Sequence, residues 1–163
     1  MATEFREKFN QVMRDELRGV TGTCLYIGNC DDDKEMSRYR DYGSFSDFRT
    51  LDILGNPDFQ CSIEKPIGVH VFDTVLMCWV LEHVRNPYAA MFGALSLTRS
   101  MMVVAYPVSY RKHPDPVDIY RFLPGYTKQM IPDSEVYREF EIKCNNGDEG
   151  RVDFVRLQEE NHE

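Results

Sequence analysis

Hydrophobic positions along this 163-residue chain change their period repeatedly, and each change marks an element. Phe5, Phe9, Val12, Met13 and Leu17 recur every three or four residues, which makes one apolar stripe of a helix over residues 3–18. Thr3 can cap it, and Gly19 and Gly22 end it. Such a helix either docks on a core or forms a lid over a ligand. The pattern then shortens. Thr23–Ile27 is a continuous apolar run suited to a buried strand, and Val71–Trp79 is another. Between them lie two more short strands, Phe48–Ile53 and Phe59–Ile63, separated by the turn residues Leu54-Gly55-Asn56-Pro57-Asp58. Lys34–Tyr42 reads as a short helix, and Asp31-Asp32-Asp33 place negative charge where a helix dipole favours it. Pro87–Thr98 is a helix with proline near its first position. Ser100–Ala105 is a fifth strand, Tyr106–Pro124 a Pro- and Asp-rich loop, and Thr127–Ile131 one or two helical turns. Val136–Cys144 and Arg151–Leu157 alternate around Asn146-Gly147, a hairpin turn signal.

Strands that alternate with helices and close on an antiparallel hairpin predict an α/β fold: a mostly parallel, twisted sheet with helices on both faces and a C-terminal hairpin. No repeat or linker interrupts the pattern. One domain over residues 1–163 follows, with the N-terminal helix in 1–22, the sheet core in 23–157 and a tail in 158–163. A 42% hydrophobic and 12% aromatic composition is enough to build a globular core. The net charge of −8 argues against bulk nucleic-acid binding, which needs a basic footprint, and suits a cationic ligand. The five cysteines are odd in number and lack a Cys-x-x-Cys pair. They read as buried free thiols in a reducing compartment, and no metal site is expected. No signal peptide and no membrane-length apolar run is found, so a cytoplasmic protein without a membrane partner is expected. The oligomeric state is not legible.

Candidate chemistry gathers just after strand ends. Gly28 turns out of the first strand, where glycine lets a ligand approach the backbone. Asp52 lies 24 residues further on, about where an acid meets ribose hydroxyls in nucleotide-binding sheets. The fourth strand runs into Trp79, Glu82 and His83. A neutral imidazole there can take a proton from a nucleophile, or it can brace the helix that follows. Trp79, the only tryptophan, can stack on a ligand or pack in the core. The loop after strand five holds His113, Asp115, Asp118, Tyr120 and Arg121 within nine residues. That density of proton-transfer groups suits an acceptor pocket, with His113 and Tyr120 facing it. Arg121 can instead pin the loop through Asp118.

Phe72-Asp-Thr-Val-Leu-Met-Cys-Trp-Val-Leu-Glu-His-Val-Arg-Asn-Pro-Tyr88 resembles the fourth-strand segment of class I S-adenosylmethionine-dependent methyltransferases. His113–Pro124 is similar to the segment after strand five in one subgroup of them. The resemblance spans roughly Cys24 to Pro124. It implies a Rossmann-like sheet, S-adenosyl-L-methionine as cofactor, and methyl transfer to a small-molecule or protein acceptor. It also implies that Tyr26, Gly28, Asn29, Asp52, Ile53, Ser62, Ile63, Cys78 and Trp79 line the cofactor site. In that layout Ser62 or Ile63 stands by the adenine, and His83, His113 and Tyr120 are the candidates for catalysis. Two departures are visible. The family carries an acid where this chain has Tyr26, and further glycines near Cys30 and Asp32. They leave a second reading open, a methyltransferase-like binding or regulatory module without catalysis.

Overall fold

The computed structural model describes residues 4–29, 33–110, 117–131 and 135–157. The N-terminal stripe forms α1 (Glu4–Leu17), with Phe5, Phe9, Met13 and Leu17 all buried. It is followed by β1 (Thr21–Ile27), α2 (Asp33–Tyr42), β2 (Ser44–Asp52), β3 (Phe59–Gln60) and β4 (Phe72–Cys78). Then come α3 (Pro87–Ser96), β5 (Thr98–Ser109), α4 (Tyr126–Met130), β6 (Glu135–Lys143) and β7 (Glu149–Arg156). The strands form one seven-stranded sheet in the order β3-β2-β1-β4-β5-β7-β6. The first five pair in parallel, and β7 pairs antiparallel with both β5 and β6. This is the Rossmann-like sheet with a C-terminal hairpin that the alternation of elements implies.

Helices cover both faces. On one, α1 and α2 bury Phe9, Met13, Leu17 and Tyr39 against Cys24, Tyr26, Leu76 and Phe154. On the other, Ala90, Met91 and Ala94 of α3 pack on Leu25, Val75, Met77 and Val104. Residues of the inner strands thus face apolar layers on both sides, which explains their unbroken hydrophobic runs. No helix among the described residues is long and apolar enough to cross a membrane.

Several strands are longer than the pattern predicts. β1 begins at Thr21 and takes in Gly22, which the pattern assigns to the end of the helix, because both residues pair with β2. β2 begins at Ser44, four residues before the expected Phe48, because polar Ser44 and Asp47 sit opposite the first residues of β1. β5 continues through Tyr106–Ser109, which the sequence assigns to a loop. Tyr106 pairs with Arg151 and Pro107 with Gly150 on β7. Pro107 is tolerated near the end of the ladder, where the register shifts before Ser109. β3 is shorter than expected. Ser62 and Ile63 leave the sheet in a turn, and the Ser62 carbonyl accepts from the Lys65 N–H at 3.0 Å.

Chain order reverses between β1 and β4, which lie side by side. Loops from their carboxyl ends therefore diverge to opposite sides and leave a crevice, the place where open α/β sheets take ligands. Gly28 and Trp79 stand at that point, each one residue beyond its strand.

On the opposite face α3 lies very close to the turn after β3. A Cβ on Gly93 would fall 1.9 Å from the Ile63 carbonyl oxygen. Gly93→Ala gains helix propensity, yet it forces helix and turn apart. It is expected to cost about 2 kcal/mol net, the usual size of an overpacking penalty. Urea unfolding measures this, and an alanine variant as stable as the parent contradicts the packing described.

Candidate active site

At the carboxyl edge the residues fall into two groups. The first lies over β1 and β2. Gly28 follows Ile27, which pairs with Leu51, so Gly28 and Asp52 are neighbours across the edge. Gly28 has φ +133°, a conformation other residues rarely adopt, and its N–H donates to the Leu51 carbonyl at 3.2 Å. Asn29 is exposed beside it. The Asp52 carboxylate accepts from the Ile53 and Leu54 N–H groups at 2.6 and 3.2 Å. This fixes its orientation at the strand end. Ile53 is 60% exposed, an apolar side chain held in water next to an oriented acid. The Asp52 carbonyl in turn accepts from the Cys61 N–H, which brings Ser62 to the same edge. Ser62 Oγ accepts from the Glu64 N–H, and Ile63 is buried in the core against α3.

The second group surrounds a cavity of about 300 Å³ between α1, α2 and the ends of β4 and β5. Its walls are aromatic: Phe5, Phe9, Tyr39, Tyr42, Trp79 and Tyr110. Trp79 sits at φ 61°, a left-handed conformation that is strained for a bulky residue. Its N–H donates to the Ala105 carbonyl at 2.9 Å. That backbone turn places the indole against Phe9 (centroids 4.9 Å apart) and Phe5 (5.3 Å). The tryptophan packs under α1 and lines the cavity. Tyr26 and Cys78 are fully buried below this floor. Tyr26 stacks on Tyr39 with ring centroids 4.6 Å apart. Burial pushes the Cys78 thiol far above its ordinary range, so it stays protonated.

Carboxylates enter the cavity from behind. Glu82 is buried, its side chain 4% exposed, and its Oε2 has no hydrogen-bond partner among the described residues. Desolvation, with Asp118 adding repulsion, raises its pKa to about 8. Its backbone carbonyl accepts from the Ile119 and Tyr120 N–H groups at 2.7 and 3.2 Å. This ties the turn after β4 to the segment after β5. His83 strengthens the tie, with Nδ1 3.2 Å from the Val117 carbonyl and 3.4 Å from Asp118 Oδ1. A ring nitrogen that close to a carbonyl carries the proton. His83 thus holds the segment in place, and Glu82 is the acid that reaches the cavity. Arg121 does pin Asp118, at 2.6 Å, and also donates to the Tyr110 carbonyl at 3.1 Å. Tyr120 donates its hydroxyl to the Arg85 carbonyl at 3.0 Å. His113 and Asp115 lie outside the described residues. Among the described residues no three His, Cys, Asp or Glu side chains gather as a metal site.

The structure thus keeps Gly28, Asn29, Asp52, Ile53 and Ser62 at one edge, and brings Trp79 to a cavity the sequence did not disclose. Glu82 and His83 stand together in the sequence, and only the fold shows which of the two lines the cavity.

No protein-family model and no curated protein sequence matches the chain. Solved structures do match in fold. One is 1,6-didemethyltoxoflavin-N1-methyltransferase from Burkholderia thailandensis with S-adenosylhomocysteine and 1,6-didemethyltoxoflavin bound. It is 12% identical with TM-score 0.71, over 96% of this chain and 79% of that one. The N-methyltransferase NodS from Bradyrhizobium japonicum with S-adenosylhomocysteine is 9% identical with TM-score 0.70, over 95% and 88%. Magnesium protoporphyrin IX methyltransferase from Synechocystis with S-adenosylmethionine bound is 13% identical with TM-score 0.65, over 95% and 82%. The chain has the class I S-adenosylmethionine-dependent methyltransferase fold.

A carboxylic acid whose pKa is raised on folding binds a proton that the unfolded chain has already lost. The native state is therefore favoured at low pH, and this contribution fades as pH rises from about 4.5 through about 8. Glu82→Gln removes the ionisation. The variant should gain stability relative to the parent as pH rises from 5.5 to 8.5, by on the order of 1–3 kcal/mol at the upper end. Parallel stability–pH curves for the two proteins rule out a buried, unpartnered Glu82.

Proposed function

We propose that this protein binds S-adenosyl-L-methionine at the carboxyl edge of β1 and β2 and transfers its methyl group to an acceptor held in the aromatic cavity. The observation that carries the reading is that Gly28 and Asp52 are neighbours at the carboxyl edge of β1 and β2, beside the switch point. The oriented Asp52 carboxylate offers acceptors suited to ribose hydroxyls. Exposed Ile53 offers an apolar face to an adenine ring, Ser62 lies within the same edge, and Gly28 and Asn29 present backbone. These residues fit the adenosine half of the cofactor. The neighbours in fold that hold S-adenosylmethionine or S-adenosylhomocysteine support the same ligand class.

Bound there, the cofactor supplies an activated methyl group on a sulfonium. The work left to this chain is alignment of the acceptor, exclusion of water and a base where the acceptor carries a proton. Aromatic walls exclude water. The carbonyl of Glu82 and the ring of His83 hold the 117–121 segment as the cavity's rear wall, with Tyr120 anchored to Arg85. His113, outside the described residues, is a further candidate base.

One observation favours the second reading. Tyr26 stands where the family carries an acid, and it stacks into the core on Tyr39. A Cβ at Gly28 would meet Val80 at 3.2 Å and the Tyr26 hydroxyl at 3.5 Å, so the space over the turn is partly taken by this chain's own side chains. A module that binds a nucleoside ligand without turnover has the same edge and needs no methionine subsite.

Calorimetry separates the two. S-adenosylmethionine should bind the parent, and Asp52→Ala should weaken it by about 1–3 kcal/mol, the loss of charge-assisted hydrogen bonds. An unchanged affinity with the fold intact by circular dichroism removes Asp52 from the site. Binding of adenosine as tight as that of the whole cofactor supports the non-catalytic module.

A further inference from the structure

The aromatic cavity has a chemistry of its own, apart from the adenosine edge. Six rings wall a space of about 300 Å³, and two of the groups that line it keep a buried polar atom without a hydrogen-bond partner among the described residues, the Glu82 carboxyl at Oε2 and the Tyr42 hydroxyl. We infer that this cavity holds a small organic cation, an amine or alkylated ammonium, with its charge against Glu82 and its carbon substituents against the ring faces. Named as the methyl acceptor, the cation rests on the function proposed above; as a bound ligand it does not.

Three features select a cation. Ring faces carry negative potential and attract an ammonium within about 6 Å of the centroid, most strongly when water is excluded. Glu82 is buried too deeply to be solvated, and its vacant oxygen is a loss that a hydrogen-bonding or charged partner makes good. The arginines that reach the cavity do not answer it. Arg6 and Arg38 line it from α1 and α2, and among the described residues no ion pair joins either to Glu82; Arg6 is half exposed and faces Glu35 at 3.9 Å, and Arg121, behind the cavity, is committed to Asp118.

The groups that face Glu82 define its response. Asp118 repels its charge and Arg121 attracts it, His83 Nε2 stands 3.9 Å from Oε1, and Arg6, Glu35 and Arg38 border the cavity from α1 and α2. With the carboxyl protonated to about pH 8, a permanent cation binds by driving its ionisation. Affinity must then climb as pH rises toward 8 and level off above it. For a primary ammonium, the ionised carboxylate can accept one proton from nitrogen onto Oε2. The N–H bonding pair stays on nitrogen, as an alkylation of that nitrogen requires.

Trp79 is the only tryptophan in the chain and lines the cavity, so its fluorescence reports occupancy directly. The probes are choline and its uncharged isostere 3,3-dimethylbutan-1-ol, titrated into the full chain at pH 6.5 and pH 9. Choline should give a saturable change, bind about tenfold more tightly than the isostere, and tighten from the lower to the higher pH. Glu82→Gln should weaken choline about tenfold, abolish its pH dependence and leave the isostere unaffected. Should that variant unfold by circular dichroism, Phe9→Leu replaces it; this keeps apolar volume, removes a ring and should reduce choline binding selectively. Equal binding of the two probes, no saturable signal, or wild-type behaviour in the folded variant overturns the inference. Calorimetry with S-adenosylhomocysteine on the same sample keeps the two readings apart. Its binding without choline binding sinks the cation cavity alone, and choline binding without it sinks methyl transfer alone.

Discussion

Everything at the carboxyl edge depends on how β1 is locked to β4 at the other end of the sheet. Parallel strands exchange slanted, evenly spaced hydrogen bonds, and a slip of one residue turns every side chain to the opposite face. Here the lock is a side chain. Asp73 Oδ2 accepts from the Thr23 N–H at 2.8 Å and from its hydroxyl at 2.9 Å, and Thr23 Oγ1 accepts from the Asp73 N–H at 3.0 Å. Both residues adjoin irregularities, at Gly22/Thr23 against β2 and at Phe72/Thr74 against β5. The hydrogen bonds from Thr23 hold the Asp73 carboxyl below its ordinary range, so the lock is closed at neutral pH. With Cys24 thus opposite Thr74, Ile27 meets Met77 three rungs later, and Gly28 and Trp79 emerge side by side at the switch point.

That alignment leaves the two ligand-facing groups in different physical regimes. Asp52 and Ile53 are wet, and their geometry is kept by local backbone hydrogen bonds alone. Glu82 is dry and Trp79 half-buried, and both sit at a cost: one carries an unpartnered oxygen, the other a left-handed backbone. Costs of this kind persist when the surrounding structure over-determines them, and they concentrate where a ligand recovers part of the loss. A second buried acid sets a limit on that argument. Asp153 accepts from the Tyr106 hydroxyl at 3.1 Å, keeps an Oδ1 unpartnered among the described residues and does not line the aromatic cavity, and its raised pKa reflects burial in the core. Burial of an acid does not by itself mark a site. Burial together with a vacant space lined by rings does.

The sheet was legible because its inner strands are buried on both faces, and continuous apolar runs such as Leu25–Ile27 and Val75–Cys78 have no other cheap home in a chain of this length. Legibility failed where tertiary pairing outweighs local pattern. Ser44–Asp47 is polar and becomes strand only because β1 lies alongside, and Tyr106–Ser109 contains a proline and becomes strand only because β7 does. At the site, Gly28 and Asp52 could be read from spacing, since strand length and turn length fix their separation. The cavity could not. Phe5 and Phe9 come from the first helix, Tyr39 and Tyr42 from the second, Trp79 from just beyond β4 and Tyr110 from beyond β5. Each looks like ordinary core packing until the fold assembles them, as Phe5, Phe9 and Tyr39 in fact also are.

The first helix decides how the cavity is reached. A lid must open, and α1 is built to stay. Phe9, Met13 and Leu17 are buried almost completely beneath it. Its outer side is fastened to the C-terminal hairpin: Lys8 donates to the Lys143 carbonyl, Glu4 accepts from the N–H of Asn145, and Arg138 pairs with Glu16. Phe5 fits over Gly150, where a Cβ would come within 2.7 Å of its ring. Lifting α1 would break all of these at once. The softer boundary runs between α1 and α2, where the long, half-exposed Arg6 meets the more buried Glu35 across 3.9 Å, a loose ion pair at the edge of the interaction range. Entry therefore belongs to that gap, while α1 and the hairpin stand as a fixed wall. A short hairpin far from the switch point in sequence thereby becomes part of the site's frame, which gives the antiparallel edge of this sheet a role beyond closing it.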